Sequence, residues 1–105
     1  MDNVKAKAAG EALLEAGHVN PLLPVLGEAF LLQLRKAVDY QGAADRDVYF
    51  PLGLASHATI LNMKAQRLVS LAAKSGGATF ESARDTALDL INYASFLVEW
   101  LDRHK

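Results

Sequence analysis

The sequence predicts an all-α protein, a four-helix bundle-like single domain with short connections. The composition is 51% hydrophobic, with only 7 glycines and 3 prolines in 105 residues, and such a composition favours helices. Apolar residues recur at spacings of three and four in the long segments, and turn signals containing glycine or proline separate those segments. Cysteine is absent, so disulfides and thiolate-ligated zinc are excluded.

The first half of the chain predicts two helices and a connector. Residues 3–16 form an Ala-rich segment that Gly17 should end. We expect residues 1–19 to be a packing or oligomer-contact arm and residues 20–105 to be the helical core. Asn20 can cap the second helix, Pro21 suits its first position, and the helix should end near residues 41–42. The segment 42–53 contains glycine, proline, charges and two aromatic rings, which predicts an ordered connector.

The third predicted helix covers residues 54–75 and ends at a Gly-Gly pair. Lys64 lies in the middle of its apolar face, and Arg67 lies at the margin. The residues that share this face are His57, Ile60, Leu61, Leu68 and Leu71. Lys64 either extends its ammonium to water along an apolar surface, or points with Arg67 into a polar cleft. Such a cleft would hold either carboxylates of the protein or a bound phosphate. The sequence alone does not decide between these two occupants.

The fourth predicted helix covers residues 79–105, with Thr79 as its N-cap. An apolar stripe is predicted to be its buried side: Leu90, Ala94, Leu97 and Leu101, flanked by Ala87, Ile91, Tyr93 and Val98. The opposite side of the helix carries a row of three acids, Glu81, Asp85 and Asp89, and Asn92 continues this row one turn further on. This row is either a solvated face or a cation site. Three large apolar residues interleave with it, so we expect this face to meet another helix or a second subunit in a homo-oligomer: Leu88, Phe96 and Trp100.

Several classes of function are disfavoured. A net charge of −1 does not attract duplex nucleic acid. No run of apolar residues approaches the ~20 that a membrane span needs. The N-terminus lacks the apolar region of a signal peptide, so we expect a soluble cytoplasmic protein. Without cysteine, a nucleophile elbow or clustered histidines, nucleophilic catalysis has little support. Acidic residues at helical spacing suit Mg²⁺, which takes one or two carboxylates together with substrate phosphates.

One set of motifs resembles a known family. In order they are Asp39-Tyr40 with Gly42, Phe50-Pro51-Leu52-Gly53, Lys64 with Arg67, Glu81-Ser82, Asp85, Asp89 and Asn92-Tyr93. This order is similar to the helical nucleotide-modification-associated domain family of bacteriophages and prophages, over residues 30–97. The resemblance implies an all-α body and a role in nucleotide metabolism or modification during phage growth, in the host cytoplasm.

A more distant similarity is to the MazG-type all-α nucleotide pyrophosphohydrolases, which place four acids on two helices around Mg²⁺. Asp89 matches the aspartate of their second acidic pair, but Thr86 occupies the position three residues earlier. Their first pair has no counterpart, since the second predicted helix offers only Glu28 and Asp39, far apart in sequence. Nucleotide binding is therefore a safer expectation than hydrolysis.

Two functional hypotheses follow. In the first, the protein is a phage-type domain that binds a phosphorylated nucleotide. Its phosphate-binding and base-binding candidates are Lys64, Arg67, His57, Tyr40, Asn92 and Tyr93, and its Mg²⁺ candidates are Glu81, Asp85 and Asp89. A form that only sequesters the nucleotide needs no metal. In the alternative, the protein is a non-enzymatic helical oligomer, an interaction or structural protein with an internal salt-bridge network.

Overall fold

The computed structural model describes residues 3–36, 43–74 and 76–104, and within these residues every regular element is a helix. The helices are α1 (Asn3–Leu14), α2 (Leu22–Lys36), α3 (Ala43–Tyr49), α4 (Leu54–Ala72) and α5 (Gly77–Arg103). The prediction of an all-α fold is confirmed. In the described part of the chain, no helix has the length and apolar character needed to cross a membrane.

The chain forms two compact units, Met1–Gln41 and Gly42–Lys105. In the first unit, α1 packs against α2, and glycines lie where the two helices approach. A Cβ added at Gly27 would lie 2.8 Å from the carbonyl oxygen of Gly10 and 2.7 Å from Cβ of Leu13. The absence of a side chain at Gly27 therefore allows the two backbones to come this close.

The start of α2 follows its predicted signal, whereas α1 ends earlier than predicted. The backbone N–H of Leu22 donates a 2.9 Å hydrogen bond to Oδ1 of Asn20, which confirms Asn20 as the polar residue at the start of the second helix. A turn after Leu14 closes α1 two residues before the predicted end. The predicted end of the second helix, near residues 41–42, lies outside the described residues.

The predicted connector is wrong for residues 43–49, which form α3. Glycine and proline flank this segment but do not occur inside it. A helix of 7 residues is too short to be stable by itself, and ion pairs from Arg46 and Asp47 to α5 hold it in place. A turn then leads into α4 through Gly53, whose backbone has φ 59 and ψ −127. This conformation is accessible almost only to glycine.

The second unit confirms the predicted antiparallel hairpin of the last two long helices, α4 and α5. Contacts run in opposite directions along them: His57 lies beside Trp100, and Lys64 beside Asp89. Thr79 is not the N-cap, because α5 begins at Gly77 with Gly76 as its cap. Gly76 has φ 113, so it reverses the chain where other residues would be strained.

The predicted buried stripe of α5 is also wrong. Val98 is 56% exposed and Leu101 is 42% exposed, whereas the side that carries Asp89 and Trp100 faces α4. The helix has two sides with large apolar residues, and periodicity treats them as equivalent. The aromatic residues on the second side find partners within the second unit, and those contacts decide the orientation.

Candidate functional site

The best-supported candidate site lies along the contact between α4 and α5, where Lys64 meets an acid of the predicted row. Its Nζ lies 3.1 Å from Oδ2 of Asp89, and the two side chains are 30% and 20% exposed. The same ammonium lies 5.9 Å from the centroid of the Tyr93 ring, within the range of a cation–π interaction. Partial burial strengthens a charged hydrogen bond of this kind.

Arg67 lies one turn further along α4, and its partner is neutral. Its Nε donates a 3.3 Å hydrogen bond to Oγ1 of Thr86, and the Thr86 hydroxyl donates a 2.8 Å bond to the carbonyl of Ser82. Thr86 is 3% exposed, whereas Arg67 as a whole is exposed. On this contact the guanidinium of Arg67 therefore binds a neutral hydroxyl. We call Lys64, Arg67, Thr86, Asp89 and Tyr93 the Lys64 seam.

The structure brings together some of the predicted binding residues and leaves others apart. Lys64, Arg67 and Tyr93 lie on the seam, and Asn92 is buried at 8% exposure. Tyr40 lies outside the described residues. Thr86 is the seam residue that sequence reasoning missed, since it was noted only as a departure from an acidic motif.

The predicted metal ligands are not gathered together. Asp89 pairs with Lys64, while Glu81 and Asp85 are exposed on earlier turns of α5. Among the described residues, no group of three histidine, aspartate or glutamate side chains is arranged to hold a metal ion. The Mg²⁺ site stays a prediction. Asp89 is the member of the acidic row that pairs with Lys64.

His57, a predicted phosphate ligand, lies in an aromatic cluster instead of on the seam. Its ring stacks on Phe50 with centroids 4.0 Å apart and an interplanar angle of 5°, and Trp100 lies 6.0 Å away. The residue is 3% exposed, and neither ring nitrogen has a hydrogen-bond partner among the described residues. Burial lowers the pKa of His57, so the ring is held neutral.

A second polar cluster joins α3 to α5. Nη2 of Arg46 lies 2.8 Å from Oε1 of Glu99, and the Arg46 guanidinium lies 5.4 Å from the centroid of the Phe96 ring. Arg103 makes two hydrogen bonds to Asp47, of 3.1 and 2.9 Å, and also pairs with Glu99. We call these four charged residues the α3 clasp.

The α3 clasp changes the titration of its members. Hydrogen bonds from Arg103 lower the pKa of both Asp47 and Glu99, and these carboxylates raise the pKa of Arg103. The clasp was missed by sequence reasoning. The spacing of Glu99 and Arg103 is that of a helical ion pair, but nothing in the sequence indicates their partners on α3.

In chemical terms, the seam offers two cations against one carboxylate, with an aromatic ring beside them. The α3 clasp is balanced, with two cations and two carboxylates that bind each other. The seam is therefore the better candidate for a bound anion.

Comparison of the chain with known protein families, curated proteins and solved structures found no match, and the family resemblance stays a prediction.

Proposed function

We propose that the second unit binds a phosphorylated nucleotide at the Lys64 seam. The observation that carries this proposal is the position of the Lys64 ammonium, 3.1 Å from Asp89 and 5.9 Å from the Tyr93 ring centroid, with Arg67 one turn away. Asp89 pairs with Lys64, whereas Arg67 contacts a neutral hydroxyl, so the guanidinium of Arg67 is the cation that a phosphate would meet first. A phosphate group supplies the complementary charge.

The seam residues have distinct roles in this proposal. Arg67 contacts Thr86 through Nε, and its guanidinium plane presents further donors that match two phosphate oxygens. Lys64 adds a point charge, and the half-exposed Tyr93 ring offers a surface on which a base can stack. The proposed activity is binding of the nucleotide. Asp89 and the phosphates could together hold Mg²⁺, so binding is measured with and without this ion.

A second candidate function is favoured by the Lys64–Asp89 pair itself. The two side chains are 30% and 20% exposed and already satisfy each other. A partly buried ion pair of this kind sets the register of two helices, although it need not stabilise the fold. In this alternative the protein is a non-enzymatic interaction or structural protein, and the seam is an internal network with no ligand.

One experiment separates the two candidates. Thermal unfolding is followed with a panel of nucleoside mono-, di- and triphosphates and cyclic dinucleotides, with and without Mg²⁺. A true ligand at about 100 times its Kd adds about 2.7 kcal/mol, which corresponds to a rise of several degrees in Tm. No shift with any nucleotide would favour the interaction protein.

Two lysine variants make this test specific. Lys64→Met keeps an unbranched apolar stem and removes the charge, and it should abolish the ligand-induced shift while the fold persists. Lys74→Met is the matched control, because Lys74 is an exposed lysine beyond the end of α4. If Lys64→Met retains the full shift, the seam is not the binding site. If it also raises the Tm without ligand, Lys64 belongs to a structural network.

A further inference from the structure

Residues 43–53 lie against the aromatic cluster of the second unit, and we call this segment the strap. It consists of α3 and the turn that leads into α4. The Phe50 ring of the strap stacks on the ring of His57 with centroids 4.0 Å apart. Gly53 packs against Trp100, since a Cβ at this glycine would lie 2.7 Å from the indole ring. The strap therefore covers both His57 of α4 and Trp100 of α5.

Few buried contacts attach the strap to the rest of the unit. Phe50 is 6% exposed, whereas Val48 is 73% exposed and Leu52 is 74% exposed, so the Phe50 ring is the main apolar anchor. The ion pairs of the α3 clasp join side chains that are 20–39% exposed, and pairs this close to water contribute little stability. A segment held in this way opens more easily than the unit as a whole.

A proton on His57 is incompatible with the closed strap. The residue is 3% exposed, and neither ring nitrogen has a hydrogen-bond partner among the described residues. A protonated ring would bury a positive charge together with two N–H donors that lack acceptors. The face of the Phe50 ring attracts a cation, but this attraction is smaller than the cost of removing an ion from water. Opening of the strap lets water solvate the charge.

The charged groups around His57 do not remove this conflict. Two acids and two cations of α3 and α5 act on the ring: Asp47, Glu99, Arg46 and Arg103. The acids favour a proton on His57 and the cations oppose it, so burial is the largest cause of its lowered pKa. His104 stacks on Trp100 and is exposed, so it can take up a proton while the strap stays closed.

We propose that the strap is an acid-operated latch, which opens when His57 takes up a proton and which the α3 clasp helps to keep closed at neutral pH. Opening breaks two hydrogen bonds of 3.1 Å, from the N–H of Phe50 to the carbonyl of Asp47 and from the N–H of Gly53 to the carbonyl of Phe50. Below pH 6.5 the ratio of open to closed molecules rises by up to about tenfold per pH unit, because the open form binds the proton more readily.

Native-state hydrogen exchange measures this opening at single amides. The protection factors of the Phe50 and Gly53 amides should fall about fivefold between pH 6.5 and 5.5. They should not depend on low concentrations of urea, because a local opening exposes little surface. The amide of Leu88, a buried residue in the middle of α5, is the comparison. Its protection should be higher and should fall with urea, because it exchanges through unfolding of the whole unit.

Two histidine variants assign the effect. His57→Phe keeps a ring against Phe50 but cannot take up a proton, so the protection of the Phe50 and Gly53 amides should no longer depend on pH. His18→Gln removes an exposed histidine of the first unit and is the matched control, in which the pH dependence should persist. A third variant, Asp47→Asn, weakens the α3 clasp. It should lower the protection of both amides about threefold at neutral pH and keep their pH dependence.

Four results would overturn the latch. Protection of the Phe50 and Gly53 amides that does not change with pH would show that His57 does not control the strap. A fall that varies with urea in parallel with the Leu88 amide would show that the strap opens only when the whole unit unfolds. A fall that persists in His57→Phe would assign the proton to another group. Unchanged protection in Asp47→Asn would remove the α3 clasp from the latch.

Discussion

Acid should destabilise the second unit through His57 in a pH range where few other groups titrate. The folded protein holds this ring neutral, because it is 3% exposed and neither nitrogen has a partner among the described residues. Its pKa is lowered from 6.5, mainly by burial. The charges of Arg46 and Arg103 act in the same direction, while those of Asp47 and Glu99 oppose it.

The sign of the effect follows from proton linkage. Below pH 6.5 the unfolded chain binds a proton at His57 that the folded chain does not, so stability falls as the pH falls. The stabilisation is complete above pH 6.5 and is lost progressively towards the lowered folded pKa. The slope is at most about 1.4 kcal/mol per pH unit, and the loss between pH 6.5 and 5.5 is up to about 1 kcal/mol.

Chemical denaturation at a series of pH values measures this loss. His57→Phe keeps a ring on Phe50 but cannot titrate, so its stability should stay level over this range. At neutral pH the removal of two unpartnered nitrogens is favourable by about 1–3 kcal/mol, and the larger ring costs a similar amount. The variant should therefore stay within about 1.5 kcal/mol of the parent protein.

The control is His18→Gln, a substitution of an exposed histidine in the first unit, and the pH dependence should persist in this variant. The carboxylates of the α3 clasp do not interfere, because Asp47 and Glu99 have pKa values lowered from 3.8 and 4.5. Their contributions are present above those values and are lost only in stronger acid. An unchanged pH dependence in His57→Phe would refute the assignment of the effect to His57.

Three glycine-to-alanine substitutions test the local geometry by urea denaturation. Gly53→Ala should destabilise the fold by about 2–4 kcal/mol, because the residue has φ 59 and its Cβ would lie 2.7 Å from the Trp100 ring; a variant as stable as the parent would contradict this contact. Gly27→Ala should lower the free energy of unfolding by about 1–3 kcal/mol, because its Cβ would meet the Gly10 carbonyl. Helix propensity alone predicts an increase, and an increase would show that α1 and α2 lie further apart. Gly77→Ala is the matched control, because a Cβ at this position would contact nothing within 4 Å. It should raise the free energy of unfolding by about 0.4–1 kcal/mol.

The sequence predicted the helices well because their signals are local. Asn20 opens α2 as expected, and the glycines at residues 76 and 77 mark the reversal between α4 and α5. The short helix α3 was missed because its stability comes from distant partners. Arg46 contacts Glu99, and Asp47 contacts Arg103, across more than fifty residues of sequence. Such pairs leave no periodic signal.

The candidate site was predicted in part. The position of Lys64 in an apolar face predicted either an ammonium that reaches water or a polar cleft shared with Arg67, and the structure gives Lys64 a partner in the acidic row, Asp89. The partner of Arg67 was not predictable, since Thr86 is a neutral residue between two acids of that row. The sequence places His57 on the same helical face as Lys64 and so predicts it as a ligand, while its burial against Phe50 is visible only in three dimensions.

By itself, the sequence determined that the chain is helical and where its long helices lie. These properties depend on residues a few positions apart, whose geometry the backbone repeat sets. Only the tertiary structure decided which side of α5 is buried, and that Leu101 is exposed while Trp100 packs beside His57. Which side of α5 is buried depends on how well each side packs against the other helices of the second unit, and this packing involves residues far apart in the sequence.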